Sequence, residues 1–329
     1  MAAKKSHQSK SVYYFIAFLC IVCLAYEPLS EALSKRGISL RNKQTTEETV
    51  IAQTAGKETT HTEKNAVGQK KQEKATSTKI PAKSQKQTVT GNSAIPAHAR
   101  LELPASLKNK RSELILHRTG YSVSYNRDWK IPNWVAWELN REKLIERESR
   151  SNKFLPDPDL TVKEAVTTDD YKRSGWDRGH MCPAGDSRWH WKAMQESFYM
   201  TNICPQNNNL NRGDWKELEE ACRKWAEKEG KIYIVCGPIL YNMKHEVIGK
   251  EHKIIVPEAF FKVILCTTSK PAKAIGFIYK NTSGNRPLDS YVNSVDEVER
   301  ITGIDFFPAL PDELEKQVES SYNLKQWKK

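Results

Sequence analysis

The tetrapeptide Asp177-Arg178-Gly179-His180, within the stretch GWDRGHMCPAGD, brings a histidine and an arginine into close spacing. A neutral imidazole is a general base near neutral pH, so His180 can take a proton from water. The guanidinium of Arg178 stays charged and can oppose the negative charge of a phosphoryl transition state. Gly179 would let a bulky group approach the backbone. Together these residue types predict attack on a phosphodiester.

A second polar cluster, from Asn211 to Glu219, supplies oxygen atoms that the first cluster lacks. Apolar residues at helical spacing follow it, so Asn211 is expected at or just before the start of a helix. Asn211, Trp215 and Glu219 would then stack at i, i+4 and i+8, with Arg223 one turn later. An amide oxygen and a carboxylate on one face suit Mg²⁺, which takes few protein ligands. Taken alone, Glu219 is better explained as a solvated helix residue.

Taken together, GWDRGHMCPAGD and the later stretch TNICPQNNNLNRGDWKELE resemble the DNA/RNA non-specific endonucleases of the ββα-metal (His-Me finger) class. That family includes secreted bacterial sugar-non-specific nucleases and mitochondrial endonuclease G. The resemblance extends from about Leu114 to Val318 and includes the stretch SVDEVERITGIDFFPALP. It implies a metal-dependent endonuclease that hydrolyses DNA and RNA with weak sequence preference and leaves 5′-phosphate ends.

The resemblance also implies which residues form the metal site. His180 would be the general base that activates water. Asn211 would bind a single Mg²⁺ directly, and Glu219 would hold the waters of that metal. Mn²⁺ is the expected substitute. A bound metal would stabilise the leaving 3′ oxygen, which is otherwise a poor leaving group.

The other site residues are assigned in the same way. Arg178 and Arg223 would hold the phosphate and offset the charge of the transition state. Asn202, in TNICPQ, would orient or support the site, and Asp177 would have a structural role. The partners would be the backbones of DNA and RNA, so binding should depend strongly on salt.

The elements that must position these residues are mainly strands. Helices are predicted from Asp214, from Ser294 and from Pro311, and the pairs Asp214/Glu217 and Ser294/Glu297 have the form of capping boxes. The expected fold class is α+β, a mainly antiparallel sheet with a ββα-metal active-site motif. Apolar runs bounded by turn residues predict strands at 121–125, 134–139, 232–236, 260–265 and 274–279.

Charge points to a polyanionic partner. The chain has 329 residues, with 52 Lys and Arg against 40 Asp and Glu, for a net charge of +12. Such a balance favours nucleic acid or an anionic membrane surface, although part of the excess lies in a solvated basic tail. The 38% hydrophobic content is enough for one sizeable domain.

The N-terminus resembles an export segment. Lys4, Lys5 and Lys10 precede an uncharged apolar run over 11–26, which is shorter than the roughly 20 residues of a spanning helix. Residues 1–32 are therefore predicted to be a signal peptide or membrane anchor. The predicted location is extracytoplasmic: periplasmic, secreted or anchored to the inner membrane. Residues 33–110, poor in large apolar side chains, are predicted to be a disordered basic linker before a nuclease domain at 111–329.

The disulfide pairing stays open in the sequence. Five cysteines fall in the predicted domain at irregular spacings that fit no zinc ribbon, and their pairing cannot be read from the sequence. These cysteines are Cys182, Cys204, Cys222, Cys236 and Cys266.

Alternative functions also stay open. The rival function is a catalytically weak, membrane-tethered nucleic-acid-binding module, which would need the fold but not His180. A nuclease effector delivered to competitors is a third interpretation. The oligomeric state is open as well, and a dimer is compatible with the sequence.

Overall fold

A computed structural model describes residues 95–96, 98–107 and 111–328, all within a contact unit formed by residues 85–329. The predicted signal or anchor at 1–32 and most of the predicted linker lie outside the described residues. Within the described part of the chain, none of the helices has the length and apolar character needed to cross a membrane.

The centre of the fold is a seven-stranded sheet whose neighbouring strands all run antiparallel, in the order β1-β2-β3-β6-β9-β10-β11. This confirms the predicted mainly antiparallel sheet. Two two-stranded antiparallel sheets, β4-β5 and β7-β8, lie outside it. The strands are β1 Leu114–His117, β2 Ser122–Asn126, β3 Ile131–Asn140, β4 Asp177–His180, β5 Ile203–Gln206, β6 Lys231–Ile239, β7 Val247–Ile248, β8 Ile254–Ile255, β9 Ala259–Cys266, β10 Lys273–Lys280 and β11 Val292–Asn293.

Helices cover both faces of the sheet. The longest helix of the described residues, α4 (Asp214–Glu229), is followed by Gly230, whose φ of 88° is a conformation that glycine adopts without a steric penalty. Helix α5 begins as predicted, because the Ser294 side chain accepts a hydrogen bond from the Glu297 backbone N–H. The helices are α1 Thr168–Tyr171, α2 Trp191–Ser197, α3 Asn208–Arg212, α4 Asp214–Glu229, α5 Val295–Thr302, α6 Asp312–Glu319 and α7 Lys325–Lys328.

The sheet separates two apolar cores, because side chains alternate between its faces. On β9, Phe260 and Ile264 join a core with Trp215 of α4. Phe261 and its neighbours at every second position join another core with α5 and α6. Burial of each large side chain contributes roughly 1.5–3 kcal/mol, so both layers are firmly attached to the sheet. The ββα hairpin and α4 therefore have a rigid support.

The second core also includes residues upstream of the predicted domain boundary at 111. Leu101 is only 2% exposed, and Leu103 and Leu107 pack against the same core. The backbone N–H of Ala105 donates to the carbonyl of Asp305. These residues fall in the segment predicted to be linker, yet they pack as part of the folded unit.

The five cysteines of the folded unit are buried and unpaired. Burial raises the pKa of the thiols of Cys182, Cys204, Cys222 and Cys236. They therefore act as small apolar core residues rather than as disulfides or nucleophiles.

Candidate active site

An open cleft of about 820 Å³ lies where β4 meets the start of α4. Five of the predicted site residues line it: Arg178, His180, Asn211, Glu219 and Arg223. The cleft carries more basic than acidic side chains, which suits a polyanionic ligand. Its basic residues are Arg150, Lys172, Arg178, Arg212, Lys216 and Arg223, and its acidic residues are Asp169, Asp177 and Glu219.

His180 ends β4 and lies at the floor of the cleft with 8% of its surface exposed. Its ring packs between Phe154 and Phe198, at centroid distances of 5.3 and 4.8 Å. Nε2 is buried and has no hydrogen-bond partner in the described chain. Burial, and then the charges of Arg150 and Arg178, lower the pKa of His180 to about 3. The imidazole is therefore neutral at pH 7 and able to accept a proton.

Asn211 is oriented by Asp177. The Asn211 Nδ2 donates to Asp177 Oδ2 at 3.0 Å, and Asp177 also accepts from Asn208 Nδ2 at 3.1 Å and from Arg212 Nε at 3.3 Å. Burial opposes the ionisation of Asp177, but these hydrogen bonds outweigh it and its pKa lies below the ordinary value. An ionised carboxylate only accepts hydrogen bonds, so Asp177 binds the Nδ2 of Asn211 and not its Oδ1. The Asn211 Oδ1 is therefore available as a ligand atom.

The predicted continuous stack of Asn211, Trp215 and Glu219 on one helix is wrong. Helix α3 ends at Arg212, and α4 begins at Asp214. The break is at Gly213, where a Cβ would lie 2.6 Å from the Asn209 carbonyl oxygen. Asn211 and Glu219 still line the same cleft, but they come from two helices.

The predicted capping box at Asp214 and Glu217 is also wrong. Gly213 occupies the N-cap, and no side chain caps the helix there. The Asp214 carboxylate instead accepts hydrogen bonds from the backbone N–H groups of Asn285 and Arg286 and from the Tyr291 hydroxyl. Asp214 therefore joins the loop that contains Asn285 and Arg286 to the start of α4.

Glu219 is a half-buried carboxylate in the cleft. Burial is the main reason why its pKa is raised to about 7, while Lys262 is the strongest influence in the opposite direction. A bound cation would favour the ionised form. A neutral amide oxygen at Asn211 and a carboxylate at Glu219 are the donor types that Mg²⁺ takes, so the residues fit this metal.

Lys262 is a residue that the sequence analysis missed. It lies on β9, is fully buried, and places Nζ 4.2 Å from the Trp215 ring and 5.7 Å from the Trp137 ring. Burial opposes its charge, but nearby ionisable groups, with Glu219 among them, raise its pKa. Lys262 is thus a buried cation beneath the site. In the sequence Lys262 lies within an apolar run typical of a strand, and that run does not indicate a buried charge next to the site.

Arg223 is fixed at the cleft wall by a buried carboxylate. Its Nη1 donates to Asp186 Oδ1 at 3.0 Å, and Asp186 also accepts from Trp137 Nε1 at 3.1 Å. Gly185 leaves the room for this guanidinium, because a Cβ there would lie 2.8 Å from the Arg223 Nη1. The Arg223 charge is therefore held in place rather than free to rotate.

Two exposed arginines lie above the aromatic rings that enclose His180. Arg178 lies over Phe154 at 4.3 Å from the ring centroid, and Arg150 lies over Phe198 at 5.5 Å. Sequence reasoning missed Arg150, which occurs in the charge-rich stretch REKLIERESRSNK without a recognisable motif. Only the packing of this stretch brings Arg150 to the cleft.

Asn202 lies beneath the cleft rather than in its lining. It is fully buried, its Oδ1 accepts from the Cys182 N–H at 2.9 Å, and its Nδ2 donates to the carbonyls of Cys182 and Ser197 at 2.8 Å. Its contacts therefore fix the backbone just after His180. Gly179 is also buried, and a Cβ there would collide with Gln206 on β5. The glycine thus permits strand packing, contrary to the expected approach of a ligand.

A pair of antiparallel strands followed by a helix, with a histidine on the first strand and polar side chains on the helical side, defines the ββα class of phosphodiester hydrolases. The model of the DNA/RNA non-specific endonuclease family matches residues 104–313. The mitochondrial nuclease EXOG of Danio rerio is 36% identical over 241 residues, which cover 69% of this chain and 68% of the relative. EXOG of Homo sapiens is 33% identical over 208 residues, covering 58% and 56% respectively.

Structural similarity agrees with the sequence relatives. A chain in the crystal structure of the EndoG/EndoGI complex is 29% identical with a TM-score of 0.57, covering 62% of this chain and 88% of that chain. The protein belongs to the DNA/RNA non-specific endonuclease family, and it is accordingly an enzyme of the phosphodiester hydrolase class. It spans 56% of the human relative's length, a little over half.

Proposed function

We propose that this chain is a metal-dependent endonuclease that hydrolyses DNA and RNA with weak sequence preference and leaves 5′-phosphate ends. The observation that carries the proposal is a single cleft with an unpaired neutral imidazole at His180 and an oriented amide oxygen at Asn211. A module that only binds nucleic acid has no need for either feature.

His180 is the general base. Its lowered pKa keeps the imidazole unprotonated at neutral pH, and the residue lines the cleft. It takes the proton of a water molecule as that water attacks phosphorus. Phe154 and Phe198 hold the ring and limit its access to solvent, so its orientation is set before the substrate arrives.

Asn211 and Glu219 would hold Mg²⁺, or Mn²⁺ in its place, with Asn211 as the direct protein ligand and Glu219 holding waters. When bound, the metal supplies positive charge next to the phosphate and the leaving 3′ oxygen. Departure of that oxygen leaves a 3′-hydroxyl on one fragment and keeps the phosphate on the 5′ oxygen of the other.

Arg178 and Arg223 bind the phosphate and oppose the charge that develops in the transition state. Arg150 lies at the same cleft and adds a third guanidinium. Guanidinium groups directed at phosphates carry no information about base sequence, so weak sequence preference and strong salt dependence follow.

The proposed setting is outside the cytoplasm, as the N-terminal segment predicts, with membrane contact only through that segment if it stays uncleaved. Relatives named as mitochondrial come from Danio rerio and Saccharomyces cerevisiae, and a nuclease of Nostoc is 33% identical to this chain over 220 residues. Fractionation of cells expressing the full chain, with signal cleavage read by N-terminal sequencing, tests this setting.

The test of the activity uses the full chain with plasmid DNA and with RNA, in Mg²⁺ and in EDTA. We expect cleavage of both substrates in Mg²⁺ and none in EDTA. His180→Ala should lose roughly 10²–10⁴-fold in rate, the usual contribution of a general base. His98→Ala, at an exposed residue outside the cleft, is the matched control. An inert wild type in both Mg²⁺ and Mn²⁺ would favour the binding module instead.

A further inference from the structure

Three carboxylates converge on the face of the sheet opposite the cleft. Asp296 and Glu299 lie one turn apart on α5, and Glu319 is the last residue of α6. One ligand oxygen of each lies within 4.8 Å of the others. Both helices pack on the core that contains Phe261, away from the core that contains Trp215 of α4.

Glu319 is the unusual member of this acidic cluster. Only 5% of the residue is exposed, and its Oε1 is buried without a hydrogen-bond partner among the residues described. The C-terminal end of a helix carries partial negative charge, which further disfavours a carboxylate there. Glu299 is better satisfied, because its Oε1 accepts from the Phe306 backbone N–H at 2.7 Å.

The surroundings of Glu319 make its position still less favourable. Burial is the main reason why its pKa is raised to about 9, and the charged groups that act on it most strongly are all acidic. A buried carboxylate needs a compensating hydrogen bond, proton or cation. These acidic groups are Glu299, Glu315, Asp296 and Asp305.

The three oxygens lie close enough together to share one Ca²⁺ ion. Ca²⁺ binds oxygen ligands at about 2.3–2.6 Å in flexible geometry, so oxygens up to about 5 Å apart can share one ion. Mg²⁺ requires near-ideal octahedral geometry at about 2.0–2.1 Å and keeps most of its waters. Asp296 is exposed, so the site has an entrance for the ion and room for completing waters.

We propose that Asp296, Glu299 and Glu319 form a second cation site, for Ca²⁺, which joins α5 to α6 on the far side of the sheet. The ion provides the partner that Glu319 lacks within the protein. Its effect is on the stability of the C-terminal layer, and it takes no part in phosphodiester hydrolysis.

The test measures thermal unfolding of the full chain in EGTA, in Ca²⁺ and in Mg²⁺. At Ca²⁺ about 100-fold above its Kd, the Tm of wild type should rise by about 5–10 °C over its value in EGTA. Glu319→Gln should abolish this rise. The control Glu313→Gln, on α6 but outside the cluster, should keep it.

Calorimetry separates this site from the cleft. In an Asn211→Ala background, which removes the proposed ligand of the active site, Ca²⁺ should still bind with one ion per chain. Adding Glu319→Gln should remove that binding. Asp296→Asn, at an exposed position, serves if the buried substitution unfolds the protein.

Several results would overturn the proposal. Wild type without a Ca²⁺-dependent rise in Tm would do so, as would a rise that survives in folded Glu319→Gln or, where that variant unfolds, in Asp296→Asn. An equal rise in Mg²⁺ in the Asn211→Ala background, where the proposed ligand of the active site is absent, would overturn the assignment to Ca²⁺. Nuclease activity is not a readout, so failure here and failure of the proposed function remain distinct.

Discussion

Replacing Asp177 tests whether the orientation of Asn211 is what makes it a metal ligand. In the folded protein the Asp177 carboxylate receives the Asn211 Nδ2 at 3.0 Å and thereby directs Oδ1 away from itself. Asp177→Asn preserves the shape but removes the charge and turns one acceptor into a donor. The amide of Asn211 then loses its preference for one of its two orientations.

The size of the effect follows from the hydrogen bond that is weakened. A bond to a charged acceptor contributes about 1.5–3 kcal/mol and one between neutral groups about 0.5–1.5 kcal/mol. The difference of about 1–1.5 kcal/mol corresponds to roughly tenfold weaker Mg²⁺ binding. Asp177→Ala removes the acceptor altogether, and changes of this kind typically reduce metal affinity by about 10–100-fold.

The assay is plasmid cleavage by the full chain as a function of Mg²⁺ concentration. We expect the Mg²⁺ concentration at half-maximal rate to rise about tenfold in Asp177→Asn and further in Asp177→Ala, while the rate at saturating Mg²⁺ stays within about twofold of wild type. Asp169→Asn removes a charge from an exposed residue of the same cleft and is the matched control. An unchanged Mg²⁺ dependence in Asp177→Asn, or an equal change in Asp169→Asn, would refute the reasoning.

Three further predictions concern charge. The folded state holds the pKa of His180 near 3 rather than 6.5. Between these values the unfolded chain binds the extra proton, so stability should fall as pH falls from about 6.5 toward 3, by at most roughly 4–5 kcal/mol. The free energy of unfolding, measured in urea at pH 7, 5 and 4, should depend less on pH in His180→Gln than in wild type. Lys262→Met removes the strongest influence that lowers the pKa of Glu219. The pKa of Glu219 should then rise, so the acidic limb of the pH profile of kcat/KM should move to higher pH. A shift of about one pH unit would lower the activity at pH 6 about tenfold. An identical shift in Lys280→Met, at an exposed end of β10, would contradict this. Arg150→Gln and Arg178→Gln should each reduce the slope of log Kd for DNA against log salt by about one in EDTA. Arg300→Gln, paired with Glu297 on α5, should leave that slope unchanged.

Much of the fold and of the cleft was accessible from sequence because the signals are local. Strand alternation and helix periodicity predicted the sheet and α4, and Ser294 marked the start of α5. The prediction failed where helical spacing was extended across Gly213, because a helix break depends on backbone contacts with Asn209 that periodicity does not record.

The chemical groups of the site could be recognised from the residues alone. They lie in two short stretches whose order and residue types resemble one family, and they are His180, Arg178, Asn211 and Glu219. Which distant residues surround them depends on the folded chain. Arg150 and Lys262 reach the site only through loop packing and strand register. Burial, pKa and charge partners arise from contacts between segments far apart in the chain. Such contacts leave no spacing pattern along the sequence.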